Sequence, residues 1–156
     1  MRTWHAVPIL VAALAAALVP SLAPASTAAG HASVVIRHQT RGCHSWSVNE
    51  NPFRATQSVV LRRGGWITFK NTDAMPHQLV KTSGAAVLVR NLKTPMGLGL
   101  RGHVGPGTMA HMGAVAKVTF SDKGVYRFTT KAGEDYMPGV KTVGEDNVLR
   151  LTVTVA

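Results

Sequence analysis

Apolar and polar side chains alternate along the C-terminal third of the sequence, and this pattern constrains the fold more than any other feature. In the final segment four apolar residues occupy every second position: Leu149, Leu151, Val153 and Val155. Successive side chains of a β-strand point to opposite faces, so a period of two predicts a strand with one buried face. The stretch "AVAKVTFSDKGVYRFTTK" holds two further runs of this kind around a Ser-Asp-Lys-Gly turn, which predicts a hairpin.

Short β-rich runs also fill the preceding part of the chain, from Val34 onward. They are "SVVIRH", "HSWSV", "QSVVLRRGGWITFKNTD", "HQLVKT" and "AAVLVRNL". Seven or eight short strands with turn residues between them predict an all-β protein, and in particular an antiparallel β-sandwich.

The first thirty residues differ in kind from the rest. Arg2 is followed by an apolar stretch and then by the small residues of "PSLAPASTAAG", an order typical of a secretory signal peptide. The apolar stretch has about 13 residues, fewer than the roughly 20 needed to span a bilayer. We predict that residues 1–30 are removed, with cleavage between Ala25 and Ala32. Residues 31–156 then form one domain that is secreted or held in the periplasm or cell envelope.

The chain is strongly basic, with 17 Lys and Arg against 7 Asp and Glu. Without Arg2 the count is 16 against 7, a net charge of +9 with neutral histidines. Such a balance predicts attraction to polyanions, to anionic lipid such as that of a cell envelope, or to an acidic protein partner. Basic and aromatic residues are not interleaved, so we expect no nucleic-acid partner. We also expect a monomer.

Cys43 is the only cysteine, and it lies beside His44 in "TRGCHSWSV". A lone cysteine in an oxidising compartment cannot form an internal disulfide. It is an inert buried side chain, an intermolecular crosslinker or a metal ligand, and the sequence alone leaves these three alternatives open.

A glycine-rich loop at about 93–113 carries thioether and imidazole side chains: Met96, His103, Met109, His111 and Met112. Thioethers and imidazoles spaced along a flexible segment can hold Cu(I). The alternative is that the methionines pack an irregular loop against the sandwich, and the sequence favours this second interpretation.

The segment "VVLRRGGWITFKNTDAMPHQLV" resembles the cupredoxin family of plastocyanin and azurin type, in which a strand leads through a turn to a Pro-His pair. "FSDKGVYRFTTKAGEDYM" and the closing "RLTVTV" resemble the family's last hairpin and strand. The resemblance implies a cupredoxin-like Greek-key sandwich and a copper ligand at His77. It also implies a departure from the family pattern, because Thr130 stands at the cysteine place and Gly133 at the histidine place. Met137 is near the methionine place.

The resemblance suggests that the missing sulfur and imidazole come from the N-terminal part of the chain. The ligand set that it implies for one copper ion is Cys43, His44, His77 and Met137. Soft sulfur with imidazole suits copper. Adjacent residues of an extended strand point to opposite faces, so Cys43 and His44 can both reach one ion only if the chain bends at Gly42. Glu134 or Asp135 can supply oxygen in place of Met137.

These residues predict a function in one-electron transfer or extracytoplasmic copper handling. Two alternatives remain, a Cu(I) chaperone or buffer that uses the Met/His loop and a metal-free interaction module with the same fold. The sequence has no paired carboxylates, Ser-His-Asp signature or phosphate-binding loop, so we expect no enzymatic activity.

Overall fold

The computed structural model describes residues 28–38, 44–93, 105–132 and 148–156. These residues form nine β-strands: β1 (Ala29–His38), β2 (His44–Val48), β3 (Thr56–Asn71), β4 (His77–Ser83), β5 (Leu88–Lys93), β6 (Thr108–Met109), β7 (Val115–Thr119), β8 (Gly124–Ala132) and β9 (Arg150–Val155). Within those ranges no helix is long and apolar enough to cross a membrane. Residues 1–27 of the predicted signal peptide lie outside the described residues.

The long strand β3 bends at Gly64 and Gly65 and so belongs to two layers. Its N-terminal half, residues 56–61, pairs with β9, whereas residues 66–70 pair with β7 and also with β1. Gly64 has a φ of 77°, in the left-handed region that favours glycine. A Cβ on Gly65 would come within 2.8 Å of the Arg62 carbonyl oxygen. The "GG" dipeptide therefore lets one strand pass from one layer to the other.

The two layers enclose one hydrophobic cluster. The first layer contains β2, β1, the C-terminal half of β3, β7 and β5, and the second contains the N-terminal half of β3, β9, β8, β4 and β6. Successive strands from the C-terminal half of β3 to β8 alternate between the two layers. The predicted all-β fold class is confirmed. It has nine strands, and two pairings, β1 with β3 and β3 with β9, are parallel.

The alternating apolar residues predicted to face inward form the core. Val118, Phe120, Tyr126 and Phe128 are buried, as are the four apolar residues of the final strand segment. Aromatic rings meet across the two layers, with 6.2 Å between the ring centroids of Phe69 and Phe128. Such contacts fasten the layers together by burying large apolar surfaces.

Part of the predicted Gly/Met/His loop belongs to β-strands. β5 ends at Lys93, and β6 pairs with β4 so that Met109 lies directly opposite His77. Met109 is fully buried in the hydrophobic core, whereas Met112 is 59% exposed. Met96 and His103 lie outside the described residues.

Candidate metal centre

Four strand ends meet at one end of the sandwich, and a tight turn fixes their positions. In the turn between β3 and β4 the Asn71 Oδ1 accepts a hydrogen bond from the Asp73 backbone N–H at 2.8 Å, and the Asn71 Nδ2 donates to the Met75 carbonyl, also at 2.8 Å. The Asp73 Oδ1 accepts from the Met75 N–H at 3.0 Å. Thr72 ties this turn to β1 through two bonds of 2.8 Å to the Ile36 carbonyl. Such side-chain bonds to nearby backbone are typical of Asx turns.

The second carboxylate oxygen of Asp73 meets two buried imidazoles. Its Oδ2 lies 2.9 Å from His44 Nδ1 and 3.2 Å from His77 Nε2. The side chains of Asp73, His44 and His77 are at most 2% exposed. The two imidazole rings pack edge to face with 4.7 Å between their centroids. Two residues 33 positions apart in the chain are thus held against one oxygen atom.

Strand alternation explains why both histidines face inward. His44 begins β2 and lies two positions before Trp46, which is fully buried and donates its Nε1 to the Ala55 carbonyl at 3.0 Å. His77 begins β4, two positions before the buried Leu79. Residues two apart share a face of a strand, so each histidine continues the core-facing row of its strand to the end of the sandwich.

A third histidine lies at the outer edge of this cluster. His38 ends β1 and pairs directly with His44 across the β1–β2 ladder. Its Nδ1 is 4.0 Å from the Asp73 Oδ2, and its side chain is 48% exposed. The ligand atoms that His38, His44 and Asp73 can offer all lie within 4.8 Å of one another. The described residues therefore combine one carboxylate with three imidazoles.

The charge of Asp73 is stabilised by its hydrogen bonds. Burial raises the pKa of the carboxyl, but the hydrogen bonds from His44, His77 and the Met75 N–H together outweigh burial. The pKa of Asp73 is consequently held far below its usual value. An ionised carboxylate only accepts hydrogen bonds, so the protons lie on His44 Nδ1 and His77 Nε2. The other ring nitrogens, His44 Nε2 and His77 Nδ1, are also buried.

The stability that Asp73 contributes should depend on pH. A carboxyl whose folded pKa is depressed stabilises the protein above its unfolded pKa of about 3.9, and the contribution is lost as the pH falls toward the folded pKa. We expect the difference in unfolding free energy between the metal-free wild type and Asp73→Asn to be constant near pH 6 and to shrink below about pH 4. Urea unfolding at a series of pH values measures it. A difference that persists unchanged to pH 2 would show that the ionised Asp73 carboxylate is not its source.

Two of the four sequence-predicted ligands, His44 and His77, come together in this cluster. The other two, Cys43 and Met137, lie outside the described residues, as do Gly42, Gly133, Glu134 and Asp135. Thr130, at the place where the family has cysteine, pairs with Leu79 on β4, so it faces the same side of the sheet as His77. It has no thiolate to offer there.

Asp73 and His38 were not predicted as site residues. Both left a signal in the sequence. Asp73 precedes His77 by four residues across a turn, and His38 and His44 flank a short connection between two β-rich runs. An antiparallel hairpin places residues at such flanking positions opposite each other. The signal for Asp73 was weaker because Asn and Asp are common in turns for purely local reasons.

The donor set fits a copper ion. Imidazole nitrogens suit copper, zinc, iron and nickel, and a carboxylate beside metal-binding imidazoles commonly fixes their tautomer and ring orientation. Asp73 makes such contacts with both buried rings. The contacts with Asp73 therefore fix the orientation of both buried imidazole rings.

Comparison with known proteins gives structural neighbours but no family. No family model matches the chain, and no curated protein matches it. An inclusion body protein from Burkholderia cenocepacia is 8% identical, with 84% of this chain and 98% of that one covered and a TM-score of 0.44. A purple cupredoxin from Nitrosopumilus maritimus is 16% identical, with 80% of this chain and 98% of that one covered and a TM-score of 0.37. A multicopper oxidase is 14% identical, with 83% of this chain and 45% of that one covered and a TM-score of 0.42. Similarities of this extent say nothing about the ligand or activity of this chain.

Proposed function

We propose that the protein binds one copper ion at the end of the sandwich where His44 and His77 meet, and that it serves one-electron transfer or copper handling outside the cytoplasm. One observation carries the proposal. Two buried imidazoles from different strands lie within 3.2 Å of the same carboxylate oxygen. Imidazole is a common ligand of copper, and a carboxylate that contacts metal-binding imidazoles commonly fixes their orientation.

Each described residue has a defined role in this proposal. His44 and His77 bind the ion, and Asp73 orients both rings by accepting the protons on His44 Nδ1 and His77 Nε2. In this proposal the metal is bound through His44 Nε2 and His77 Nδ1. A bound copper ion supplies a one-electron redox couple. The rigid β3–β4 turn keeps the ligands in place in both oxidation states, which favours fast electron transfer.

Cys43 remains the proposed sulfur ligand, because it adjoins His44 in the chain. A thiolate bound to Cu(II) gives an intense visible charge-transfer band, and a site of imidazole and carboxylate alone does not. We expect the Cu(II)-loaded mature protein to show such a band and the Cys43→Ser variant to lose it while retaining copper. Visible absorption spectra of the two proteins, each with its copper content measured, test this. Copper bound to the wild type without a thiolate band would remove Cys43 from the ligand set.

Two methionines can supply a weak fourth ligand. The resemblance to cupredoxins implies Met137. Met109 lies opposite His77 in the β4–β6 pair and is fully buried, and directly opposed residues have Cβ atoms about 5 Å apart. The position of Met109 opposite His77 makes it a second candidate for the weak fourth ligand, and the sequence alone did not predict this position.

Export and the basic surface complete the proposal. We propose that residues 1–30 direct the protein out of the cytoplasm. β1 begins at Ala29, so cleavage in the early part of the predicted window, between Ala25 and Ala29, would leave the whole strand intact, whereas removal of residues 1–30 would shorten it by two residues. The excess of basic residues would then attract an acidic redox partner or the anionic cell envelope, and the attraction should weaken as salt is raised.

Two other functions make different predictions. A Cu(I) buffer that uses the Met/His loop would keep its affinity when His44 and His77 are replaced and lose it when His111 and Met112 are replaced. A metal-free interaction module would contain almost no copper after expression in copper-supplemented medium. We place copper binding at the histidine cluster ahead of the Cu(I) buffer because Met109 is buried in the core rather than exposed in a thioether loop.

A further inference from the structure

The three imidazoles of the candidate centre form a row from solvent to the core. Side-chain exposure falls from 48% at His38 to 2% at His44 and 0% at His77. The ring centroids of His38 and His44 are 6.1 Å apart, and those of His44 and His77 are 4.7 Å apart. The buried pair has no comparable exposure to solvent, so a metal ion needs a route to reach it.

One carboxylate oxygen of Asp73 lies within 4.0 Å of a ring nitrogen of each of the three histidines. The Asp73 Oδ2 lies 4.0 Å from His38 Nδ1, 2.9 Å from His44 Nδ1 and 3.2 Å from His77 Nε2. His38 and Asp73 therefore define an outer position at the surface, and His44 and His77 define an inner position behind it. His44 is adjacent to both positions.

We propose that His38 is the residue through which Cu(II) is taken up, a role separate from that of a ligand in the resting site. The ion binds first at the outer position, between the exposed His38 imidazole and the negatively charged Asp73 carboxylate. It then passes to the inner position by exchanging His38 for His44 and His77. This inference rests on the proposed function, because it assumes that the inner position is where copper resides.

Stepwise replacement of ligands gives the physical reason for such an arrangement. A hydrated divalent cation must lose water before it enters a buried site, and each lost water costs less when a protein ligand replaces it. The Asp73 carboxylate, 4.0 Å from His38 Nδ1, attracts the cation in a strongly basic protein that otherwise repels it. His38 is half exposed, so it can meet the ion while most of the hydration shell remains.

The test compares the kinetics and the equilibrium of Cu(II) binding in two variants of the mature protein. Cu(II) is mixed with the protein in a stopped-flow instrument, with quenching of tryptophan fluorescence as the readout. Its removal by excess chelator is followed in the same way. We expect His38→Ala to slow uptake and removal by the same factor, about 10-fold, because His38 stabilises the transition state of entry and exit and not the resting site. The dissociation constant should then change less than about 3-fold.

His31→Ala is the matched control, because His31 is an exposed histidine on the same strand that stacks on Trp66 away from the centre. It should leave both rates unchanged. Unaltered rates in His38→Ala would overturn the inference. A dissociation constant that rises by the same factor as the uptake rate falls would also overturn it, because His38 would then be a ligand of the resting site. If the wild type binds no copper, the proposed function fails together with the inference, whereas normal affinity with unaltered rates rejects the role of His38 alone.

Discussion

Replacing Asp73 with asparagine is expected to lower the free energy of unfolding of the metal-free protein by about 3 kcal/mol at pH 7. The variant keeps the size of the side chain and removes its charge. His44 Nδ1 and His77 Nε2 then lose the ionised acceptor on which both converge, in a site that is almost completely shielded from water. Removing one partner from a buried polar network leaves the others without full compensation, which is more costly than losing a surface ion pair. Urea denaturation followed by circular dichroism measures the change.

Asp122→Asn is the control for this substitution. Asp122 is the exposed aspartate of the turn before β8, and its backbone carbonyl rather than its carboxylate accepts the Tyr126 hydroxyl hydrogen bond. We expect this variant to remain within about 0.5 kcal/mol of the wild type, as is usual for surface substitutions. A loss below about 1 kcal/mol in Asp73→Asn would contradict the view that the Asp73 carboxylate organises the end of the sandwich.

Replacing His77 with alanine is expected to weaken Cu(II) binding by at least about 100-fold, since it removes an imidazole ligand rather than a supporting side chain. His77 is fully buried, so the alanine variant also leaves a cavity and will be less stable. His77→Gln retains most of the volume and a polar group, and it should show a similar loss of affinity with a smaller loss of stability. Competition titrations against a chelator of known affinity, on variants whose folding has been checked, give the dissociation constants.

His111→Ala is the matched control for His77, and it also separates the two copper hypotheses. His111 belongs to the Met/His loop, and its described hydrogen bond is made by its backbone carbonyl, which accepts from the Ala114 N–H at 3.0 Å. The histidine-cluster proposal expects His111→Ala to bind copper as the wild type does. Affinity that falls in His111→Ala and survives in both His77 variants would instead support the Cu(I) buffer.

The sequence predicted the fold better than the site, for a physical reason. The period-two pattern around Phe120, Tyr126 and Leu151 directly encodes which side chains are buried, so the sandwich and its core could be recognised without coordinates. The bend at Gly64 was visible only as a glycine pair. The parallel pairings of β3 depend on which strands meet in space, which no local pattern records.

For the site, His44 and His77 were found through a resemblance, and the structure brings them together. The role of Asp73 in the site could not be predicted. An aspartate in a turn has the same local sequence whether its second carboxylate oxygen faces water or two imidazoles. What distinguishes these cases is the register between β1 and β2, which delivers His44 to the β3–β4 turn. That register is a tertiary property. Cys43 and Met137 remain predictions from the sequence.

We propose that the imidazoles of His44 and His77 hold the copper ion. Pulsed electron paramagnetic resonance of the Cu(II)-loaded mature protein tests this most directly. This method detects the magnetic coupling of a bound Cu(II) ion to histidine nitrogens. We expect one equivalent of copper coupled to two histidine nitrogens, with one coupling lost in His44→Ala and the other lost in His77→Gln. Copper without histidine coupling, or couplings that survive in both variants, would contradict it.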